Sequence, residues 1–569
     1  MINKDLELLK LIAEFAKPYR KLLLLSLILL PLSSIAFSLQ PYLMQRAIDG
    51  PLKAANYDEL QIYIIIFLGA ILFNFCVHLM QIYVINSTAQ KIITDIRLKL
   101  FDHLEKLPMT FFDKNPVGRS VTRLTSDVEQ LSDSFAGGMI SVIIDCLNII
   151  TIIVFMLVIN WKLCLCVVSF LVPVIFLAKY FQESFRKSNH LARQKLSVLN
   201  SFLQQNIVGI SVVQMLNCAD KNKRIFDASN QEYFKANDKS IWADANFSAG
   251  IELVSIFSLL ALLFLSKEIL LSQALTIGVL LSFLQYAQSL FEPVRNLSDR
   301  FTIIQSGFTA AERINELLKE TGAIEDKEQS PRYSPVSSFT GRSDLEGIES
   351  ENEYLIEFND VWFRYSDSED SPWILKGVSF KIKPYEFVAI VGATGSGKSS
   401  IIKLLTRLYE PQQGEIKINS HDLKDIPLAD LREFMGVIHQ DSYIFSGDLR
   451  SNIELRRTDI NLDRAKPFLD RLNMNLDSKL NERATNISSG EEQLINFARA
   501  IVSEPQLLIL DEATAKIDLN TEAFIQEELE HFRNGRTLLA VAHRLETIKN
   551  ADKVITIQDG MASVSNSKT

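Results

Sequence analysis

Six stretches of this 569-residue chain are apolar over lengths that suit a bilayer, and no other feature limits its fold so strongly. A spanning helix needs about 20 mostly apolar residues, so that it crosses the hydrocarbon with every backbone group bonded internally. Residues 22–44 and 62–85 carry no Asp, Glu, Lys or Arg, and 134–161 holds only Asp145. Residues 163–180 are apolar up to Lys179, 246–266 hold only Glu252, and 269–291 are uncharged. The overall figures, 47% hydrophobic and 22% charged, hide this split, because residues beyond about 320 have ordinary soluble composition. A net charge of −9 argues against nucleic acid as a partner. Four of the five cysteines lie in apolar runs with no His or Cys pattern to complete a metal site, so they read as packing residues. The N-terminal stretch is mixed-charge and amphipathic and does not read as a removable signal peptide.

Lys and Arg placement orients the spans. Seven lie between spans two and three, from Lys91 to Arg123, and nine between spans four and five, from Arg186 to Lys239. The opposite side offers only Arg46, Lys53, Lys162 and Lys267. Both long connections and both termini are therefore expected in the cytoplasm, in an integral, multi-pass membrane protein. The connections are helical in pattern and poor in Gly and Pro, so the spanning helices are expected to continue outward and turn at tips near 111–118 and 207–221. Residues 1–320 form the expected membrane domain. Residues 321–352, rich in Ser, Pro and acids, read as a linker, and 353–569 as an α/β domain.

In that domain VAIVGATGSGKSSIIKLL places a strand, a glycine-rich turn and a helix in the order a phosphate-binding loop requires. Gly392, Gly395 and Gly397 let backbone amides approach phosphate, Lys398 reaches the β- and γ-phosphates, and Ser399 holds Mg²⁺. Thr394 and Ser396 in the same loop and Ser400, which directly follows it, belong to the expected nucleotide-binding set. LLILDEATAKID, 507–518, is a buried strand ending in two carboxylates. Asp511 is placed to hold Mg²⁺ and Glu512 to orient or deprotonate the attacking water. His543 closes another apolar strand and donates to charge developing at the γ-phosphate. Gln440 joins the Mg²⁺ shell or senses the nucleotide. Residues 486–502, NISSGEEQLINFARAIV, place Ser488, Ser489 and Gly490 at a helix N-terminus, a second anion site far from the first.

This ordered set resembles an ABC exporter half-transporter: an α-helical membrane domain of six helices fused to one α/β ATP-binding cassette. The matching pieces are residues 392–399, Gln440, ISSGE at 487–491, LLILDE at 507–512, Asp518 and His543. Tyr365 matches the aromatic residue that stacks on adenine. FFDKNPVGR, with Phe112, Asp113 and Gly118, matches the tip that docks on a cassette. The resemblance implies that Ser488, Ser489, Gly490 and Glu491 complete, in trans, an ATP site whose phosphate loop belongs to a second half-transporter, with Asp518 at the dimer contact. It implies ATP and Mg²⁺ as cofactors and ATP-driven export of hydrophobic or amphipathic compounds, drugs or lipids, by alternating access. A subunit of a heterodimer with asymmetric sites and a peptide exporter are the alternatives, followed by an ATP-gated channel or regulator. The departures are Glu491, Glu492 and Leu494, where the common signature continues with Gln and later Arg, and DEATAKID, where Ser-Ala-Leu usually precedes the aspartate. Gln493–Leu494 resembles a bacterial multidrug-resistance-like subset, some of which pair with a different subunit. Asp145 and Glu252, ionisable within spans, are candidate cavity residues favouring cationic amphiphiles, or else pair with other helices.

Overall fold

The computed structural model describes residues 14–271, 276–320, 354–366, 368, 370–439, 443–455, 462–482, 485–511, 519–533, 535–541 and 550–566. The chain divides into two units. One comprises Met1–Glu105 and Val117–Glu320, and the other Lys106–Pro116 and Thr321–Thr569.

The described residues of the first unit are almost entirely helical. Its principal helices are α1 (Arg20–Ala47), α2 (Tyr57–Glu105), α3 (Ser141–Ile159), α4 (Trp161–Ser169), α5 (Leu171–Val208), α6 (Ala219–Leu271) and α7 (Ile277–Lys319). Among the described residues five helical runs are long and apolar enough to cross a membrane: Glu14–Leu52, Tyr57–Glu105, Val117–Ile159, Trp161–Phe181 and Ala219–Lys267. The sixth expected span, 269–291, runs across residues 272–275, outside the description, and its later part is the start of α7. At 1.5 Å per residue α2 is about 73 Å long, more than twice the ~30 Å hydrocarbon core, so much of it lies beyond the bilayer. The chain turns between α2 and Val117, and again at Gly209–Cys218 between α5 and α6.

Packing within this unit follows from small residues and satisfied polar groups. Asn160 caps α4, its side-chain oxygen accepting from Lys162 N–H (3.1 Å) and Leu163 N–H (3.2 Å). Asp49, just past α1, accepts from Thr276 Oγ1 (2.6 Å) and Gly278 N–H (2.9 Å), so a carboxylate satisfies the N-terminus of α7. Tyr286 of α7 is buried among Ile152, Met156, Leu163 and Leu262, and its hydroxyl donates to the Ser38 carbonyl at 2.6 Å. In the apolar window of α2 only 6% of residues are buried within the chain, leaving a surface that lipid or another helix must cover.

The second unit is an α/β domain. A four-stranded antiparallel sheet runs in the order β2 (Leu375–Ile382), β1 (Ile356–Phe363), β4 (Gln413–Ile418), β5 (His421–Asp422). A six-stranded sheet runs β12 (Met561–Asn566), β11 (Lys553–Gln558), β3 (Phe387–Gly392), β10 (Thr537–Val541), β9 (Leu507–Asp511), β6 (Met435–Ile438), with all strands but β12 parallel. The short strands β7 (Gly447–Asp448) and β8 (Lys479–Leu480) form a separate antiparallel pair. Every residue of β10 and all of β9 except Asp511 are buried, as befits a parallel sheet covered on both faces. One face packs on the small sheet and α8 (Lys398–Leu405) through Phe358, Ile401, Leu405 and Leu539. The other packs on α9 (Ser489–Ile501) and α10 (Leu519–Arg533) through Phe497, Leu508, Leu510 and Ile525.

Candidate active site

Parallel pairing brings the expected site to one edge of the six-stranded sheet. β10 lies between β3 and β9, with Val541 opposite Ile390 on one side and Asp511 on the other. β6 lies outside β9, with Ile438 opposite Leu510. The carboxyl ends of β3, β10, β9 and β6 thus align, where doubly wound sheets bind their ligands. Asp511 is half-buried at the end of β9. Glu512, Asp518, His543 and Gln440 lie outside the described residues, although three of them follow these strand ends in sequence by one or two positions.

The phosphate loop joins β3 to α8. Gly397 has φ +107°, in the left-handed region, and a Cβ there would lie 2.7 Å from Leu375 Cδ2. A Cβ on Gly392 would lie 2.3 Å from the Ile557 carbonyl oxygen, so the loop's first residue has no room for a side chain. Lys398 is 5% exposed, and its ammonium donates to the carbonyls of Gly392 (2.9 Å) and Ala393 (3.1 Å). The loop therefore curls around its own lysine, holding the cation beneath exposed Thr394 and Gly395. The two serines that follow diverge. Ser399 is exposed, whereas Ser400 is buried and bonded through Oγ to the Tyr365 hydroxyl at 2.9 Å. Ser396 is half-buried. Tyr365 is 37% exposed, and the Lys403 ammonium lies 5.0 Å from its ring centre.

Ser488 is the N-cap of α9, and Glu491 completes a capping box. Glu491 N–H donates to Ser488 Oγ at 3.3 Å, while its Oε2 accepts from Ser488 N–H at 2.7 Å and Ser488 Oγ at 2.8 Å. Ser488 and Ser489 are exposed and Gly490 is half-buried. Arg499, on the same helix, donates to the carbonyls of Asn452 (2.8 Å) and Tyr443 (3.1 Å), and burial pulls its pKa below the ordinary arginine value. It locks α9 to the segment that follows Gln440. In sequence its signal is a lone cation on an otherwise buried helix.

Of the expected tip residues, Phe112 and Asp113 belong to a six-residue helix, Met109–Lys114, which Phe111 anchors by burial. Asp113 accepts a hydrogen bond from the Tyr409 hydroxyl. Gly118 lies outside that helix, at the start of Val117–Thr122, with open space around it.

Asp145 and Glu252 both meet arginines of α7. Arg300 lies 3.8 Å from Asp145 and also donates to the Gly137 carbonyl at 2.9 Å. Arg295 pairs with Glu252. These arginines follow the uncharged run 269–291, so a scan for spans passes over them, and only the length of α7 brings them beside the acids. An open apolar cleft of about 700 Å³ lies nearby in chain order, lined by Phe170, Pro173, Val254, Phe257 and Phe264.

Comparison with known proteins places both halves. Residues 23–294 match the family model described as the ABC transporter transmembrane region, and 375–515 match the one described as ABC transporter. The chain is 30% identical over 558 residues to an uncharacterized ABC transporter ATP-binding protein, YknV, of Bacillus subtilis, covering 96% of this chain and 89% of the relative. It is 31% identical over 514 residues to a probable multidrug resistance ABC transporter ATP-binding/permease protein, YheH, of the same organism, covering 86% and 72%. A putative multidrug export ATP-binding/permease protein of Staphylococcus aureus is 32% identical over 571 residues, covering 97% and 95%. A helical membrane region continuous with a phosphate-loop ATPase, and matched along nearly its whole length by such proteins, makes this chain a member of the ABC transporters, an exporter-type half-transporter that couples ATP hydrolysis to transport.

Proposed function

We propose that this chain is one half of a dimeric exporter for hydrophobic or amphipathic compounds, drugs or lipids, in a bacterial inner membrane, with its cassette and termini cytoplasmic. What supports it is the presence of two phosphate-binding elements in one cassette. The phosphate loop lies at the strand edge, and the exposed N-terminus of α9 offers Ser488, Ser489, Gly490 and Glu491 to a second cassette. ATP held between two cassettes binds the closed dimer better than the open one, which is how its energy is coupled.

Within one cassette, Tyr365 stacks on adenine, and Gly392, Thr394, Gly395, Ser396, Gly397 and Lys398 cradle the phosphates. Exposed Ser399 and the Asp511 carboxylate, one strand apart, are hard oxygen donors that suit Mg²⁺, with Gln440 as a third. The ion supplies neutralisation of the phosphate oxygens when bound. Glu512 orients and deprotonates the attacking water, and His543 donates to the γ-phosphate as charge develops. Ser400 has a supporting role, because its hydroxyl is engaged by Tyr365. Asp518 lies at the dimer contact. The apolar cleft supports a hydrophobic cargo. Selection for cations loses its support, since Arg300 and Arg295 offset Asp145 and Glu252.

The capping box favours a heterodimer over a homodimer. Glu491 puts a carboxylate where a partner's γ-phosphate must approach and engages the Ser488 hydroxyl. The chain's own hydrolytic residues are intact in sequence, so it supplies a full phosphate loop and a weak signature. The test is Mg·ATP hydrolysis by the purified chain in lipid nanodiscs, with Glu512→Gln as control. Vigorous hydrolysis abolished by Glu512→Gln means that two copies complete each other. A folded but inactive sample means a different partner. Activity that persists in Glu512→Gln removes the catalytic assignment.

A further inference from the structure

Lys403 lies on α8, the helix that the phosphate loop opens, and is half-buried. Its ammonium sits over two rings, 5.0 Å from the centre of Tyr365 and 5.5 Å from that of Tyr409. The rings meet edge to face, with centroids 5.2 Å apart at 89°, so the cation occupies the corner between them. Among the described residues no carboxylate forms an ion pair with Lys403, and its charge is directed at aromatic faces. Tyr365 is held from other sides as well, by the bond from its hydroxyl to Ser400 and by the Phe363 ring at 4.9 Å. It remains 37% exposed, and that open surface is what a base can reach. Two stacked π-systems repel through their negative faces, which is why a perfect face-to-face sandwich is disfavoured. A cation over one face draws electron density toward itself and leaves the other face less negative, which favours a stack there. A lysine over a ring is by itself ordinary packing. Here the ring is the one expected to carry the base, and the cation comes from the helix that carries the phosphate loop.

We propose that Lys403 is a positioning residue for the nucleobase, its ammonium fixing and polarising the Tyr365 ring on which the base stacks. The proposal rests on the reading of Tyr365 as the adenine-stacking residue. Lys403 acts through the ring and not on the phosphates, since Lys398 is the lysine curled inside the loop. Loop, cation and ring belong to one cassette, so the effect needs no partner.

The experiment uses the full chain in lipid nanodiscs, carrying Glu512→Gln so that Mg·ATP is held uncleaved, and measures Mg·ATP affinity in a double-mutant cycle. Tyr365→Ala weakens binding by about tenfold or more, the worth of one stacked base. Lys403→Met keeps the length of the side chain and loses the charge, and weakens binding by about fivefold, the worth of a partly buried cation over a ring. Lys403→Arg keeps a cation that can lie on the ring and binds within about twofold of the parent. In the Tyr365→Ala background Lys403→Met has no further effect, because its target is gone. An equal loss in both backgrounds would put Lys403 to work on the phosphates or the fold and overturn the proposal. A silent Lys403→Met beside a weakened Tyr365→Ala, or a Lys403→Arg as weak as Lys403→Met, overturns the role of Lys403 and leaves the stacking reading standing. Unchanged affinity in Tyr365→Ala overturns the stacking reading, and the role of Lys403 falls with it.

Discussion

Glu491 holds Ser488 by both its backbone and its side chain, accepting from the N–H at 2.7 Å and from the hydroxyl at 2.8 Å. The arrangement suits a free helix N-terminus, where a carboxylate opposes the positive end of the dipole. It suits a partner's γ-phosphate poorly, because two anions then share one set of donors.

Glu491→Gln keeps the capping box, since glutamine serves at that position as well, and removes the charge. The expected outcome in the assembled transporter is tighter nucleotide-dependent closure at the site this signature serves. The gain is about tenfold in apparent ATP affinity, or ~1.4 kcal/mol. Thermal stability of the isolated chain should stay nearly constant. Apparent affinity measured at that site in both forms decides the matter, and equal values would show that Glu491 does not face the phosphate.

Asp145 and Glu252 yield a second prediction. Each lies beside an arginine of α7, so neither presents an uncompensated negative charge. Asp145→Asn and Glu252→Gln should leave the preference between cationic and neutral amphipathic dyes within about twofold, a change of under ~0.5 kcal/mol. Dye efflux from cells expressing the assembled transporter is the measurement. Selective loss of cationic dyes would restore the two acids as cargo-binding groups.

Tyr409 sets a pH dependence outside the membrane. Burial first, and then its bond to Asp113, raise its pKa above the ordinary tyrosine value of 10.0. A group raised on folding contributes stability that is complete below its unfolded pKa and is lost only as pH climbs through the folded one. The Tyr409–Asp113 bond should therefore persist through the first phenolate step of an alkaline titration, at the pH where a free tyrosine side chain ionises, about 10. Phenolate absorbance gives the test. Tyr409→Phe should leave the size of that first ionisation step unchanged, and a smaller step would place Tyr409 among the ordinary tyrosines.

The apolar helices, the turn after α2 and the phosphate loop were legible because each is a local pattern: a run of apolar residues, an Asn-Pro turn, a glycine spacing. The order of strand ends around β3 was not legible, since parallel register is fixed by residues far apart in sequence. Arg295 and Arg300 were missed because charge was scored within spans, while α7 carries them beyond its apolar end to Glu252 and Asp145. Tyr409 was missed for a similar reason. A tyrosine after a helix means nothing until the fold brings residue 113 to it.

Gly307 of α7 faces Ser134 so closely that an added Cβ would lie 1.9 Å from the serine Cβ. A neighbouring contact is similarly tight, with a Cβ on Gly138 falling 2.7 Å from Ile304 Cγ1. Small residues thus set the approach of α7 to residues 134–140, as they commonly do between helices in membranes. Two effects oppose each other in Gly307→Ala. Helix propensity favours alanine by about 1 kcal/mol. Overpacking costs about 1–3 kcal/mol, and a contact this short belongs at the top of that range. The clash wins, so Gly307→Ala should destabilise the first unit by about 2 kcal/mol, seen as a lower apparent unfolding temperature in nanodiscs. Ser134→Gly in the same chain removes the atom that is struck and should restore most of the loss. If Gly307→Ala proves as stable as the parent, or if Ser134→Gly fails to rescue it, α7 does not owe its place to that contact.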